Sequence, residues 1–464
     1  LKYGPLFTVA TAGASAFVVL PLFAQEDGGL SVSLDFSQRF ETASNLGLEV
    51  PDEGNTNLAT TSLMLNLDSQ TRTQDFSLSF GGLFREGDIP TGAGAETGFV
   101  EPQAALSFTQ EGANAEFKLD AKFRQTDIAF DIPLSDFVDA TGIVVIPPDF
   151  DNLSGTGKRN NFSFDTSLET GKNSTVGFLF EAGVSDLSYE NTSSSSLVDN
   201  TRTNFDATMF LRPSETLTGR TELHYDLFDD QDTLDTERET WSTLFGLESE
   251  ISSGTMVDIS LGYEEVITDR NTGKTTESGL IGGLGIDHEL ANGSVFGDFT
   301  LSRNQDGQRY TVNVGREIEL PRGSLRGSVG TTSLEGNSYD FVFNALFVHQ
   351  LPQGAINLSA DRQVSTDDND NERIASSLDF GYDHSINNIS SVGLDIKFGL
   401  VESTSTASEV ERYDITASYN RELTRDWSMV SGVSYRTRDS SSVGFADSTS
   451  VFFTLDRSFD LIKR

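Results

Sequence analysis

Four histidines, His224, His288, His349 and His384, are the only imidazoles in 464 residues, so acid–base or nucleophilic chemistry would have to start from them. In Asp287-His288 and Asp383-His384 a carboxylate precedes the ring directly. Adjacent side chains on an extended strand point to opposite faces, so neither pair can orient its imidazole. His224 differs, because Glu222 and Asp226 would share its face on a strand. A nearby serine would complete a hydrolase-like set, but serine is so frequent here that its proximity discriminates nothing. The expectation is a polar, solvated His224 and no catalytic residue. Cysteine is absent, which excludes disulfides, thiolate metal sites and a lipid-modified N-terminal cysteine. The runs Asp229-Asp230-Gln231-Asp232 and Asp367-Asp368-Asn369-Asp370-Asn371 offer oxygen ligands of the kind Ca²⁺ or Mg²⁺ takes. Neither has EF-hand spacing, and both read as solvated, self-repelling loops. No metal or cofactor is expected.

One loop has a composition that needs an explanation. Between Ile128 and Gly157 the chain carries Phe130, Ile132, Phe137 and Ile143-Val144-Val145-Ile146-Pro147-Pro148, interleaved with Asp131, Asp136, Asp139, Asp149 and Asp151. A loop this apolar is unfavourable unless it packs on something. The alternatives are a segment folded into a lumen, with these aspartates at a constriction, and an external cap or strand extension.

The elements that would carry these residues alternate with a period of two. From Ala113 to Arg124, Ala113, Ala115, Phe117, Leu119, Ala121 and Phe123 fall on one face, and Asn114, Glu116, Lys118, Asp120, Lys122 and Arg124 on the other. Leu223, Tyr225 and Leu227 oppose Glu222, His224 and Asp226 in the same way. The helical spacing i, i+3, i+4, i+7 fits none of these segments. The strands are about ten residues or longer, enough to cross a bilayer at a tilt. Their charged faces suit a watery lumen better than a dry core. The connections sort by parity. Tight turns such as Ala291-Asn292-Gly293, Pro321-Arg322-Gly323 and Pro352-Gln353-Gly354 alternate with more polar, usually longer segments. The pattern predicts an all-β protein: a transmembrane antiparallel up-and-down barrel of about 22 strands, with short periplasmic turns and long extracellular loops.

The balance of 71 Asp+Glu against 32 Lys+Arg excludes a phosphate-backbone binder, so no nucleic acid partner is expected. Lys2 is the only charge before Glu26, and Leu6 to Phe23 is apolar or small, which reads as a secretory signal peptide over 1–24 ahead of a barrel over 25–464. The last strand alternates Val451, Phe453, Leu455 and Phe459 on one face, similar to the assembly signal that closes outer-membrane barrels, although Asp460 to Arg464 follow the aromatic residue. Signal peptide, Phe-rich alternating strands and acidic loops together resemble a proteobacterial outer-membrane β-barrel porin family. That resemblance implies the outer membrane of a Gram-negative bacterium, with membrane lipids, lipopolysaccharide and the barrel-assembly machinery as partners. A TonB-dependent transporter is disfavoured here, because its plug would need over a hundred residues before the first strand and strands begin near Leu30. The functional expectation is a porin-like channel for passive diffusion of small solutes. Acidic loops would give it a weak cation preference, since charges act within a Debye length of about 8 Å. The alternatives are an export channel for a surface polysaccharide and a non-conducting scaffold barrel with its lumen blocked by side chains such as Met64, Phe296 and Phe452.

Overall fold

A computed structural model describes residues 29–463, apart from 53, 90–95, 131, 140, 193, 195, 336–338, 368–370 and 404–408. The leader expected at 1–24 and Asp131 lie outside the described residues. The strands are β1 (Gly29–Ser44), β2 (Asn55–Gln70), β3 (Gln74–Asp88), β4 (Gly98–Glu111), β5 (Ala115–Asp127), β6 (Lys158–Thr170), β7 (Val176–Glu190), β8 (Asn200–Ser214), β9 (Leu217–Asp230), β10 (Thr236–Ser252) and β11 (Thr255–Arg270). The second half comprises β12 (Gly273–Leu290), β13 (Gly293–Asn304), β14 (Gly307–Leu320), β15 (Gly323–Leu334), β16 (Tyr339–Leu351), β17 (Gly354–Thr366), β18 (Glu372–Asn387), β19 (Ser390–Ser403), β20 (Glu409–Glu422), β21 (Trp427–Ser440) and β22 (Gly444–Lys463). Each pairs antiparallel with its chain neighbours. β1 pairs with β22, for example Phe40 opposite Phe453, so the sheet of 22 strands closes and leaves no edge. The only described helices are two 3₁₀ turns, Ile128–Phe130 and Leu134–Phe137, so the membrane is crossed by strands.

Register fixes which face each residue takes. In β11, Val257, Ile259, Leu261 and Tyr263 point outward, and Asp258, Ser260 and Glu264 point inward. The exposed apolar side chains, among them Phe245, Leu261, Leu280, Val314 and Val451, form the lipid-facing surface. The periplasmic hairpins are the tightest. Leu290–Gly293, Leu320–Gly323 and Leu351–Gly354 each place two residues in the turn, with proline at the first position in the latter two. Gly293 sits at φ +130°, and a Cβ there would lie 2.1 Å from the Glu317 carbonyl oxygen, so only glycine closes that hairpin without strain.

The wall has no apolar core of its own, because one side faces lipid and the other water. The buried apolar clusters instead form where extracellular segments fold inward. Leu134, Val144, Ile146 and Phe150 pack with Ala375, Val401 and Val410 of β18, β19 and β20. Ile128, Ile132 and Leu153 pack with Leu197 and Tyr189. Ala43, Leu46 and Leu58 pack with Phe130 and Ile89.

Candidate functional site

The segment 128–157 leaves the wall at β5, returns at β6 and crosses the lumen. From β6 to β17 is eleven steps around a ring of 22, which makes the two strands diametrically opposite. The segment reaches that far wall: the Ser359 hydroxyl of β17 donates to the Gly142 carbonyl at 2.8 Å. Each burial of a large apolar side chain along it is worth roughly 1.5–3 kcal/mol. Phe150 (0% exposed) and Leu134 (1%) lie against Gly399, whose missing side chain makes room for both. Val138 and Val144 bridge within the segment, and the Asp139 carboxylate caps its turn by accepting from the Thr141 hydroxyl and N–H and the Ile143 N–H. Those donors, the Thr141 hydroxyl foremost, hold the Asp139 carboxyl below the usual range.

Arginines on the lumenal faces fasten the segment. Arg159 of β6 grips Asp149 through Nε at 2.5 Å and Nη2 at 3.2 Å, and the Tyr189 hydroxyl donates to the same carboxylate at 2.6 Å. Arg373 of β18 donates to Asp151 Oδ1 at 2.8 Å and to the Pro147 carbonyl at 2.6 Å. Arg412 of β20 donates to the Leu153 carbonyl at 2.8 Å and stacks 4.6 Å from the Phe150 ring. Arg438 of β21 donates to the Asp151 carbonyl at 3.2 Å. The Leu134 N–H donates to Asp414 Oδ2 at 2.7 Å, and the Gly155 N–H donates to Glu49 of the first extracellular loop at 3.1 Å. Asp151 is largely buried, and that burial pushes its carboxyl up. Asp367 adds to the rise and Arg373 opposes it.

The crossing encloses a cavity of about 570 Å³ against β1–β5 and β19–β22. Arg39, Arg85, Lys397 and Arg436 face it together with Glu41, Glu101, Asp127, Asp136, Asp395 and Asp414. Two aromatic rings line it under guanidinium groups: Arg85 lies 3.9 Å from the Phe130 centroid and Arg39 4.0 Å from that of Phe452. Such a chamber can hold a polar or charged ligand of small-molecule size between hydrogen-bond donors and ring faces.

The residues singled out from the sequence separate into three places. Of the loop aspartates, Asp136 accepts from Arg124 at 2.5 Å and borders the chamber, Asp149 and Asp151 are fastened to arginines, and Asp139 caps a turn. These carboxylates secure the segment, and their charge is largely met on site. On β5, Glu116, Lys118, Asp120, Lys122 and Arg124 share the lumenal face, and Glu116 is ion-paired with Lys118 and with Lys172 of the next periplasmic turn. On β9, Glu222 pairs with Arg220 at 2.5 Å, Asp226 with Arg202 at 2.6 Å, and His224 Nδ1 with Asp206 of β8 at 2.6 Å. The acid that holds His224 is therefore a cross-strand neighbour, and neither carboxylate two residues away does so. Phe453 faces lipid on β22, and Leu455 and Phe459 fall on the same face. Met64, Phe296 and Phe452 point inward but lie flat over Gly81, Gly315 and Gly432 of adjacent strands, so they cover the wall and do not fill the lumen. Among the described residues no group of three or more His, Asp or Glu is placed to hold a metal. The arginines at 85, 159, 373, 412, 436 and 438 were not picked out from the sequence. Their signal was an inward position near the extracellular end of a strand.

The closed sheet, its lipid-facing belt and its sorted loops define an outer-membrane β-barrel, located in the outer membrane of a Gram-negative bacterium with its apolar belt facing membrane lipid. Its fold is similar to that of the FrpB iron transporter from Neisseria meningitidis (F3-3 variant), with 8% identity, 92% of this chain and 81% of that chain covered, and a TM-score of 0.58. It is similar to the ferric-catecholate import receptor Fiu from E. coli K12, with 12% identity, 94% and 82% covered, and a TM-score of 0.58. It is similar to the siderophore receptor PirA from Acinetobacter baumannii, with 9% identity, 94% and 81% covered, and a TM-score of 0.54. No family model and no curated protein matches the chain. These neighbours are transporters and receptors, not enzymes. They correct the expectation of a passive, weakly cation-preferring diffusion channel, together with its polysaccharide-export and scaffold alternatives: the barrels that share this wall take up specific ligands. The physical reason lies in the lumen. A segment fastened to both walls crosses it, and of the acids expected to bias diffusing ions Asp136, Asp149 and Asp151 are engaged with arginines while Asp139 caps a turn. Setting TonB-dependent transporters aside rested on where the strands begin, which says nothing about the wall that is shared.

Proposed function

We propose that this barrel is a ligand-specific uptake receptor of the outer membrane that takes an iron chelate from the extracellular side, with the 128–157 segment as the element that moves to let it pass. The observation that carries this reading is the segment itself. It crosses the lumen to the opposite wall, and its ties are hydrogen bonds, ion pairs and side-chain packing that a ligand can compete with. The chelate as ligand class is taken from the receptors of similar fold. The chamber supports a small polar ligand, which can be met by donors from Arg39, Arg85, Lys397 and Arg436 and by acceptors from Glu41, Glu101, Asp127, Asp136, Asp395 and Asp414. The same reading includes export on a leader at 1–24 and insertion by an assembly machinery that recognises β22 through Phe453, Leu455 and Phe459.

The test is uptake of radioactive iron by cells expressing the protein, offered as ferric catecholate, hydroxamate or citrate. One chelate is expected to give saturable uptake that a protonophore abolishes, and Arg436→Ala is expected to raise the half-saturating concentration about tenfold. Uptake that rises linearly with every chelate, or none at all from a correctly inserted barrel, overturns the proposal.

A further inference from the structure

We propose that the periplasmic rim of β20–β22 binds the phosphodiester of a glycerophospholipid whose headgroup carries net negative charge, with Arg457 as its anchor. Arg457 pairs in register with Phe36 of β1 and Trp427 of β21, and all three share the outward face of Val451 and Phe453. A charge on the lipid side is costly at mid-membrane and tolerated near the interface. Arg457 is at the interface: Trp427 opens β21 directly after the periplasmic turn 423–426.

The surroundings of this guanidinium are arranged, and they leave donors unused. It lies 4.2 Å from the Phe459 centroid and 5.2 Å from that of Trp427, and Phe36 meets Trp427 edge-on at 6.2 Å. Its Nε is buried and has no hydrogen-bond partner among the described residues. The nearest carboxylate recorded, Asp426, stands 4.0 Å from Nη2, at the limit of an ion pair. Arg421 points outward on β20 beside Met429, and both Arg421 and Arg425 are exposed. Glu422 and Asp456 fall on the opposite, lumenal face. In a chain with 71 acidic and 32 basic residues, Arg421 and Arg457 on the outward face and Arg425 in the adjoining turn bring three cations to one periplasmic rim, with Asp426 beside them. A planar guanidinium held flat by rings matches a phosphate through paired N–H donors, and Trp427 sits at headgroup depth. The periplasmic position selects phospholipid over lipopolysaccharide, whose phosphates lie at the other rim.

Only two tryptophans exist, Trp241 and Trp427, so Trp241→Phe leaves Trp427 as the sole reporter. In this background the barrel is refolded into phosphatidylcholine vesicles containing a minor fraction of brominated phosphatidylglycerol or brominated phosphatidylcholine. Quenching is expected to show phosphatidylglycerol enriched about fivefold at Trp427 over bulk. Arg457→Gln should return it to bulk. If Arg457→Gln fails to become heat-modifiable, the Arg421→Gln/Arg425→Gln pair, outside the closing strand, should at least halve the enrichment. Equal quenching by the two lipids, or enrichment that survives the substitutions, overturns the proposal. Loss of the preference on adding inorganic phosphate assigns the site to free phosphate and overturns the lipid.

Discussion

Two stretches of the same wall are built differently. From β11 to β16 the extracellular hairpins Arg270–Gly273 and Asn304–Gly307 hold two residues in the turn, and Gly283, Gly285, Gly315 and Gly330 leave the lumenal face low. From β17 through β22 and on to β7 the lumenal face near the extracellular end carries Arg373, Arg412, Arg438, Arg85 and Arg159, and the three buried apolar clusters lie on this side. The bare stretch shows that the barrel stands there on cross-strand hydrogen bonds, its lipid belt and side-chain pairs along the wall such as Arg303–Glu277 and Arg309–Glu372, without a buried apolar cluster. The packed core therefore serves to seat the crossing segment. What stabilises the fold and what controls the lumen are largely separate, and each can be perturbed without the other.

The largest expected effect follows directly. Replacing 131–156 by a short Gly-Ser turn removes the crossing segment and leaves every strand, so the barrel should still insert and become heat-modifiable. Single-channel conductance in planar bilayers should rise at least tenfold over the intact protein. An unchanged conductance would mean that the segment does not lie in the conducting path. Next comes Arg159→Ala, which removes both guanidinium hydrogen bonds from Asp149, a carboxylate buried at 0% exposure, and leaves it the Tyr189 hydroxyl. Breaking a buried pair from one side costs about 3–5 kcal/mol. Hydrogen exchange across 132–153 should accelerate by about two to four orders of magnitude on that estimate, while exchange in β11–β16 stays as it was. Acceleration in both stretches would show that seat and wall are one cooperative unit.

The barrel was legible in the sequence for a physical reason. Lipid on one side and water on the other force a strict alternation, and a one-residue slip would turn every side chain to the wrong medium. The alternating run read at Ala113–Arg124 is β5 at Ala115–Asp127, and the loop read at Ile128–Gly157 falls between β5 and β6. The seat was illegible because its halves are far apart in the chain: Asp151 meets Arg373, and Leu153 meets Arg412. Only closing the ring and counting strands puts β5 and β6 opposite β17. The partner of His224 was hidden for a related reason. Period two identified Glu222 and Asp226 as face-mates but could not show that Asp206 of the neighbouring strand lies nearer. The partners of Asp136, Asp149 and Asp151 were hidden as well, because sequence alone does not reveal which arginines oppose them.

A smaller, pH-dependent effect sharpens the contrast. Burial holds the Asp151 carboxyl above the usual range, so the seated segment takes up a proton more readily than the released one. Seating is therefore most favoured below the ordinary aspartate pKa, about 3.9, and weakens as pH rises through the raised value. Asp139 has the opposite sign. Its depressed carboxyl helps above the ordinary range, and that help is lost only as pH falls through its lowered value. From about pH 4 upward Asp151 sets the trend. Exchange across 132–153, corrected for the intrinsic rate, should quicken severalfold from pH 4 to pH 7, and Asp151→Asn should flatten that slope. A slope that survives in Asp151→Asn would assign the dependence to another group.

The smallest effect belongs to the bare stretch and tests whether it is as independent as it looks. Phe296 of β13 lies over Gly315 of β14, where an added Cβ would come 2.3 Å from its ring, and Arg326 of β15 stacks 5.2 Å from the Phe296 centroid. An aromatic ring laid across a glycine on the neighbouring strand shields backbone hydrogen bonds from lumenal water and pins the register. Phe296→Ala should lower unfolding stability by about 1 kcal/mol, read as a lower urea midpoint in lipid vesicles. Conductance and exchange across 132–153 should not move, because no buried cluster of the seat includes β13 or β14. If this substitution loosened the crossing segment, the two stretches would be coupled through the sheet, and the wall itself would be part of the control of the lumen.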